Sequence, residues 1–361
     1  MVTPLLSRDN RYGGPSIVAQ DQARWLSASG VHVTLASLGD RDECSPHIRL
    51  LAPEIRTFKF LSLPGTAKFS KQFSWRLWLW IYRNRDAFDI AHIHLARDLA
   101  TAPIAWFLKL LRIKYIAQTH GMIVPSAKIH VRLFDWLLMR GILNGAKKIL
   151  ALSEDEARSL RAVMSKSRSD IVEIFENAIE LPIRWQLSNP SQPVAIFAAR
   201  LQDSKRPQVF VDLASLHPKM RFLMFGADQG ELTFVEEKAR RLNLSNFEYA
   251  GPVSRELLLS RISKATVVVI PSEKESWSMV AMEALAVGTP VVITDNSPIA
   301  HIISEHGAGF ATNCETQDIS LKICDVISNP QMRRNARQLA ETRFSVEKIT
   351  TQLIGFYLEV V

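Results

Sequence analysis

Cysteine is almost missing from this chain. Cys44, Cys314 and Cys324 are the only three in 361 residues, and they form neither a C-x-x-C pair nor a metal-ligand spacing. A disulfide-stapled scaffold is excluded, and a reducing compartment fits. Long apolar runs are also lacking. Lys109, Arg112 and Lys114 interrupt the nearest candidate, so nothing reaches the roughly 18 residues that span a bilayer. No secretory leader is read at the start, and the expectation is a cytoplasmic protein, or one held peripherally on the inner face of the cell membrane. No G-x-G-x-x-G follows any expected strand, which disfavours a dinucleotide-dependent dehydrogenase. Between residues 56 and 85 acid is absent, while seven basic residues and eight aromatics are present.

A chain of this length suits two domains, and 47% hydrophobic with 22% charged residues describes a globular protein. The net charge of +8 is unevenly placed. Residues 1–188 carry 26 basic against 17 acidic side chains, and residues 189–361 carry 18 against 19. An anionic partner for the first half alone is implied, either an acidic substrate or a membrane surface. The stretch 56–85 leaves two readings open. A helix over 70–84 with Trp75, Trp78 and Tyr82 among Lys71 and Arg76 is either an interfacial helix or one packed on a sheet with a solvated basic edge.

The most informative stretch runs from Ala265 to Thr294. Thr266 to Ile270 reads as a buried parallel strand stopped by Pro271-Ser272. A helix begins near Ser276 or Ser278, ends at Gly288 before Pro290, and is followed by a second strand. Glu275 stands before that helix and Glu283 within it, with the amides of Trp277, Ser278, Met279 and Val280 between them. Eight helical residues cover roughly 12 Å, and a helix N-terminus receives anions. A ligand with hydroxyls at both ends and phosphate in the middle, such as a nucleotide sugar, has the matching layout.

Earlier segments read in the same alternating way. Gly13-Gly14-Pro15 lies in a loop after a strand stub, before a helix over 16–29 and a strand over 31–35. Adjacent glycines there allow either close approach to a phosphate or a plain turn. Ile90 to His94 and Tyr115 to Gln118 are strands, the second running into Thr119-His120-Gly121. His94 reads as a core or turn residue, and Ser153 with Glu156 as a capping box. After the strand Val194 to Ala198 come Arg200 and Lys205, and after Arg221 to Phe225 comes the Gly226 to Gly230 turn.

Glu275-x7-Glu283 with Pro271-Ser272 before it and Ala286-x-Gly288-x-Pro290-Val291-Val292 after it resembles the donor-site signature of the family 4 retaining glycosyltransferases, the glycosyl transferases group 1. The resemblance covers essentially the whole chain and is strongest from Val194 to Gly309. It implies the GT-B fold: α/β, with two doubly wound Rossmann-like domains facing a cleft. The expected domains are 1–188 for the acceptor and 189–345 for the donor, with a helix over 346–361 packing back on the first. It implies a retaining transfer of a hexose-type sugar from a nucleotide-sugar donor to a lipid-linked or growing cell-surface glycan. In the family's pattern Glu283 holds the ribose, Glu275 grips the donor sugar, and His120 contacts that sugar. Arg200, Lys205 and the Gly13-Gly14 amides face the diphosphate, and Gly226 lies in the family's Gly-x-Gly turn. Two cations would then take the place of a metal, so neither metal nor cofactor is expected, and no nucleic-acid partner. Departures are Ser276-Trp277-Ser278 where Gly-Phe-Gly is common, Arg206 where glycine is common, and a first strand shorter than usual. A nucleotide-sugar epimerase of related architecture and a non-catalytic sugar- or lipid-binding subunit are the alternatives.

Overall fold

A computed structural model describes residues 1–5, 14–39, 54–62, 72–164, 166–182 and 192–361. The chain divides into two compact units, one of residues 1–177 with 346–361 and the other of residues 178–345. The division falls inside the Glu176-Asn177-Ala178-Ile179 turn rather than at 188, and residues 183–191 lie outside the described set.

The first unit is built on a parallel sheet of seven strands. These are β1 (Val2–Leu5), β2 (Thr34–Leu38), β3 (Glu54–Phe58), β6 (Ala91–His94), β7 (Tyr115–Gln118), β8 (Lys148–Ala151) and β9 (Val172–Ile174), with the small antiparallel pair β4 (Leu61–Ser62) and β5 (Gln72–Phe73) apart from it. Their order is β3-β2-β1-β6-β7-β8-β9. The central strands are buried on both faces, as parallel strands covered by helices must be. Its helices are α1 (Gly14–Ala28), α2 (Trp75–Arg83), α3 (Ala102–Leu110), α4 (residues 129–145, with a π-helical stretch at Asp135–Met139), α5 (Glu154–Val163) and, from the far end of the chain, α13 (Val346–Leu358).

Three local details differ from the sequence reading. Helix α2 begins at Trp75 rather than at 70, because Gln72–Phe73 pair with Leu61–Ser62 as a strand. Helix α1 begins at Gly14 with Pro15 in its first turn, where a missing N–H does no harm. The next strand starts at Thr34, not Val31, because Val31 N–H closes the helix end onto Leu26 O at 3.0 Å.

The second unit repeats the plan with six strands: β10 (Val194–Ala198), β11 (Arg221–Phe225), β12 (Phe247–Gly251), β13 (Val267–Ile270), β14 (Val291–Thr294) and β15 (Gly309–Thr312). All pairs are parallel, in the order β12-β11-β10-β13-β14-β15. Its helices are α6 (Pro207–Leu216), α7 (Leu232–Arg241), α8 (Arg255–Ser263), α9 (Met279–Ala286), α10 (Pro298–Glu305), α11 (Thr316–Ile327) and α12 (Gln331–Arg343). A core of Phe197, Phe210, Phe222, Met224, Val267 and Val269 fills one side of this sheet, with Phe210 set edge-on to Phe222 at 5.1 Å. Strand order reverses between β10 and β13. In open α/β sheets the carboxyl ends of the two strands at such a point are where ligands bind.

Candidate active site

The loops leaving β10 and β13 carry five of the residues singled out from sequence, Arg200, Lys205, Glu275, Trp277 and Ser278. Arg200 and Lys205 follow β10, and the segment Pro271–Ser278 follows β13 and leads through Glu275 into α9. The two loops are joined. Lys205 Nζ donates to Glu275 Oε2 at 2.6 Å, Ser272 Oγ lies 3.4 Å from the same oxygen, and Glu273 N–H donates to Ser204 O at 2.9 Å. Both members of the ion pair are partly buried, at 16% side-chain exposure each, so water screens the pair less than an open surface pair. Arg200 is exposed, with no side-chain partner among the described residues.

Arg206 shows why a glycine is common after the lysine. Its φ of 51° is left-handed, a conformation that strains a residue with a Cβ by about 1–2 kcal/mol. Here the strain is offset by Arg206 Nη1, which donates to Cys314 O at 2.6 Å.

Helix α9 starts later than the glutamate spacing alone suggests. Ser278 is the N-cap, its hydroxyl accepting from Ala281 N–H at 3.3 Å. The amides of Met279 and Val280 therefore stand at the positive end of the helix. Since only Met279–Ala286 is helical, Glu283 sits about 6 Å along the axis from that end, and the roughly 12 Å of eight helical residues does not describe the stretch from Glu275 to Glu283, whose first part is loop. Glu283 is not an open carboxylate. It is buried, and Arg255 Nε of α8 donates to its Oε1 at 2.7 Å. Trp277 turns inward: its indole N–H meets Met282 Sδ at 2.9 Å and its ring lies edge-on to Phe344. Only its backbone is left to face a ligand.

Gly226 has a plain structural requirement. With φ at 142°, a Cβ there would fall 1.7 Å from Ala199 O, so glycine is what allows β11's end to pass the β10 loop. Tyr249 Oη donates to Gly226 O at 2.9 Å.

In the first unit Gly13 lies outside the described residues, and Gly14 is the first residue of α1. His120, at the end of β7, is buried in a left-handed conformation, φ 51°. Its Nε2 is 2.8 Å from His94 Nδ1, and the two rings stack at 5.0 Å. His94 stacks in turn on His92 at 4.8 Å, and His92 Nδ1 lies 2.7 Å from Tyr357 Oη of α13. Burial holds His92 and His120 at about 3, and holds His94 well below the ordinary imidazole value.

Glu156 holds the same turn from beneath. The Ser153 cap is present, with Ser153 Oγ accepting from Glu156 N–H at 3.2 Å. The Glu156 carboxylate, however, does not reach back as a capping box would. It accepts from Thr119 Oγ1 and Gly121 N–H at 2.5 Å each and from Leu152 N–H at 2.7 Å. Burial pushes its pKa up, and these donors pull against that. Glu156, His94 and Arg255 were missed as site residues because each acts through a partner 26 to 37 positions away in sequence.

Among the described residues no group of three or more His, Cys, Asp or Glu side chains gathers as a metal site. Asp40-Arg41-Asp42, which has the Asp-x-Asp spacing, lies outside them.

The fold is shared with known proteins. Residues 182–343 match the family model described as glycosyl transferases group 1, and residues 13–175 match the glycosyl transferase 4-like domain. The D-inositol 3-phosphate glycosyltransferase of Mycobacterium tuberculosis is 26% identical over 305 residues, covering 75% of this chain and 61% of that protein. Its counterpart in Paenarthrobacter aurescens is 34% identical over 164 residues, covering 41% and 38%. The chain thus spans between about two fifths and three fifths of the length of these curated relatives. Among solved structures, sucrose-phosphate synthase from Thermosynechococcus elongatus matches with a TM-score of 0.75 at 19% identity, over 99% of this chain and 97% of that one. Anabaena HepE in complex with UDP matches with a TM-score of 0.76 at 16% identity, over 98% and 99%. With two parallel sheets in these strand orders and both family models matched in succession, the chain belongs to the group 1 glycosyltransferases of family 4, which have the GT-B fold.

Proposed function

We propose that this chain is a retaining, metal-independent glycosyltransferase. It takes a hexose-type sugar from a nucleotide-sugar donor and passes it to a lipid-linked or growing cell-surface glycan. The observation that carries the reading is the junction at the second unit's switch point, where Lys205 and Glu275 meet beside the N-terminus of α9. A diphosphate at that helix end would draw on Lys205, Arg200 and the Met279 and Val280 amides, and fixed cations offset charge growing on a departing phosphate. Glu283, oriented by Arg255, would accept from ribose hydroxyls, and Glu275 would accept from hydroxyls of the sugar. Departure of the phosphate on the side of attack, with that phosphate taking the acceptor proton, needs no protein base. HepE structures with UDP and with UDP-glucose support a nucleotide-sugar donor by analogy of fold. Peripheral attachment to an anionic membrane would bring the protein to a lipid-linked acceptor.

The two glutamates separate on mutation. Glu283→Ala should weaken binding of the free nucleoside diphosphate by about 1.5–3 kcal/mol, as loss of hydrogen bonds to a charged acceptor does. Glu275→Ala should spare that affinity and depress turnover. Calorimetric titration of both variants decides, and equal loss of nucleotide affinity would refute the assignment.

A further inference from the structure

Three helices of the first unit, in contact with one another, turn apolar side chains to solvent. On α4, Ile129, Leu133, Trp136 and Leu137 follow one another at helical spacing, and Ile129, Trp136 and Leu137 are 82%, 66% and 62% exposed. The opposite side of that helix is the buried one, with Met139, Ile142 and Leu143 in the core. Helix α3 adds Trp106 and Leu110, and α2 adds Trp75 and Tyr82, all exposed. Contacts tie the three together. Trp78 of α2 stacks on Phe107 of α3 at 5.1 Å, and Lys109 of α3 donates to Gly141 O of α4 at 3.0 Å. Single exposed apolar residues are ordinary, but a row of four on one helix beside two more on its neighbour is not.

The charged side chains that these three helices themselves expose have one sign, with Asp86 and Asp89 lying just past the end of α2. The charged residues of the three helices are Arg76, Arg83, Lys109, Arg132, Asp135 and Arg140. Asp135, the only acid, is buried and gripped by Arg97 Nε at 2.7 Å and Nη2 at 2.8 Å. What faces outward is therefore apolar and basic. A second copy of the chain would set Arg132 and Arg140 against their own kind, a repulsive juxtaposition. A bilayer of anionic lipid supplies the complement to both parts, hydrocarbon for the leucines and tryptophans and negative headgroups for the arginines.

We propose that the face formed by α2, α3 and α4 docks on an anionic membrane surface, with α4 as its principal contact. The proposal rests on the reading of a lipid-linked acceptor for its purpose, and the docking itself is measured independently. Trp75 and Tyr82 belong to the face, whereas Trp78 is taken up by its stack on Phe107.

The test is sedimentation of the full chain with vesicles of equal parts phosphatidylglycerol and phosphatidylcholine, and with phosphatidylcholine alone. The protein is expected to sediment with the anionic vesicles at low salt, to be released by high salt, and to ignore the neutral ones. Ile129→Ser/Leu133→Ser/Trp136→Ser should lower the partition at least about tenfold through lost apolar burial. Arg132→Gln and Arg140→Gln should each lower it roughly fivefold. Both sets lie at exposed positions and should leave thermal unfolding and nucleoside-diphosphate binding unchanged. Equal binding to neutral vesicles, or anionic binding that neither set alters, overturns the proposal. So does sedimentation velocity showing a dimer that the serine variant abolishes while vesicles go unbound. Vesicle binding without any nucleotide binding would instead overturn the transferase reading and leave the docking face standing.

Discussion

The two units share a strand plan and use it differently. In the second, the carboxyl ends of β10 and β13 carry an ion pair, a capped helix and an exposed arginine. Its charges nearly cancel along the chain. In the first, the corresponding ends hold a column of buried neutral imidazoles, and the excess charge is spread over the outer helices. One sheet thus carries fixed charge at its strand ends, and the other hides its titratable groups. The same scaffold tolerates both because the strands supply only position, while the loops decide which chemistry is exposed.

The largest expected break between the units comes with acid. His92 and His120, held at about 3, and His94, held well below its ordinary value, stay neutral in the native state, while the unfolded chain protonates them below about pH 6.5. The unfolded state then binds more protons, so stability is fully present above pH 6.5 and lost as pH falls. Three such groups give a slope of about 4 kcal/mol per pH unit. In the second unit His217, half-buried, is lowered by burial. Tryptophan fluorescence, to which six of the eight tryptophans contribute from the first unit (Trp25, Trp75, Trp78, Trp80, Trp106 and Trp136), should show an acid transition ahead of loss of nucleotide binding. A first unit that stays folded to pH 4 would show that the histidines protonate in place.

Next in size is the charge of the second unit. Arg200→Ala and Lys205→Ala should each lower turnover by about 10²-fold or more, as loss of one transition-state donor does. Activity should also persist in excess EDTA. Activity abolished by EDTA and restored by Mg²⁺ or Mn²⁺ would mean a metal does what is assigned to these two cations.

The smallest effect sharpens the first unit. In Glu156→Gln one acceptor oxygen becomes an amide donor, leaving either Leu152 N–H or the Thr119–Gly121 pair unmatched. The expected loss is about 1–3 kcal/mol of stability. Denaturant unfolding should place that loss in the first unit, with nucleoside-diphosphate affinity untouched. An unchanged unfolding midpoint would mean the carboxylate is not what holds the turn.

What the sequence disclosed was what is local. Ser278 announces the start of α9, Gly288 its end, and the β-branched runs at 267–270 and 291–294 the strands on either side. Tyr115–Gln118 is read to the residue, since Tyr-Ile-Ala-Gln between polar turns admits little else. The spacing of Arg200 and Lys205 places both on the β10 loop. What stayed hidden depends on contacts between distant segments. Nothing near Glu283 foretells Arg255, and nothing near His120 foretells Glu156. Gly226 carries no mark separating a glycine that approaches ligand from one that approaches Ala199 O. Trp277 reads as a loop aromatic until Met282 and Phe344 are seen around it.

The return of α13 to the first unit has a consequence for how the protein is made. Tyr357 meets His92, Phe356 meets Phe175, and Lys148 pairs with Glu359, so the first unit's core is completed by residues synthesised after the whole second unit. The second unit, continuous in sequence from 178 to 345, has all its parts as soon as that segment emerges. During synthesis the order of completion is thus the reverse of the order of translation. The nascent first unit must wait with its sheet formed and one flank unsealed, a state in which exposed apolar surface invites chaperone binding or misassembly.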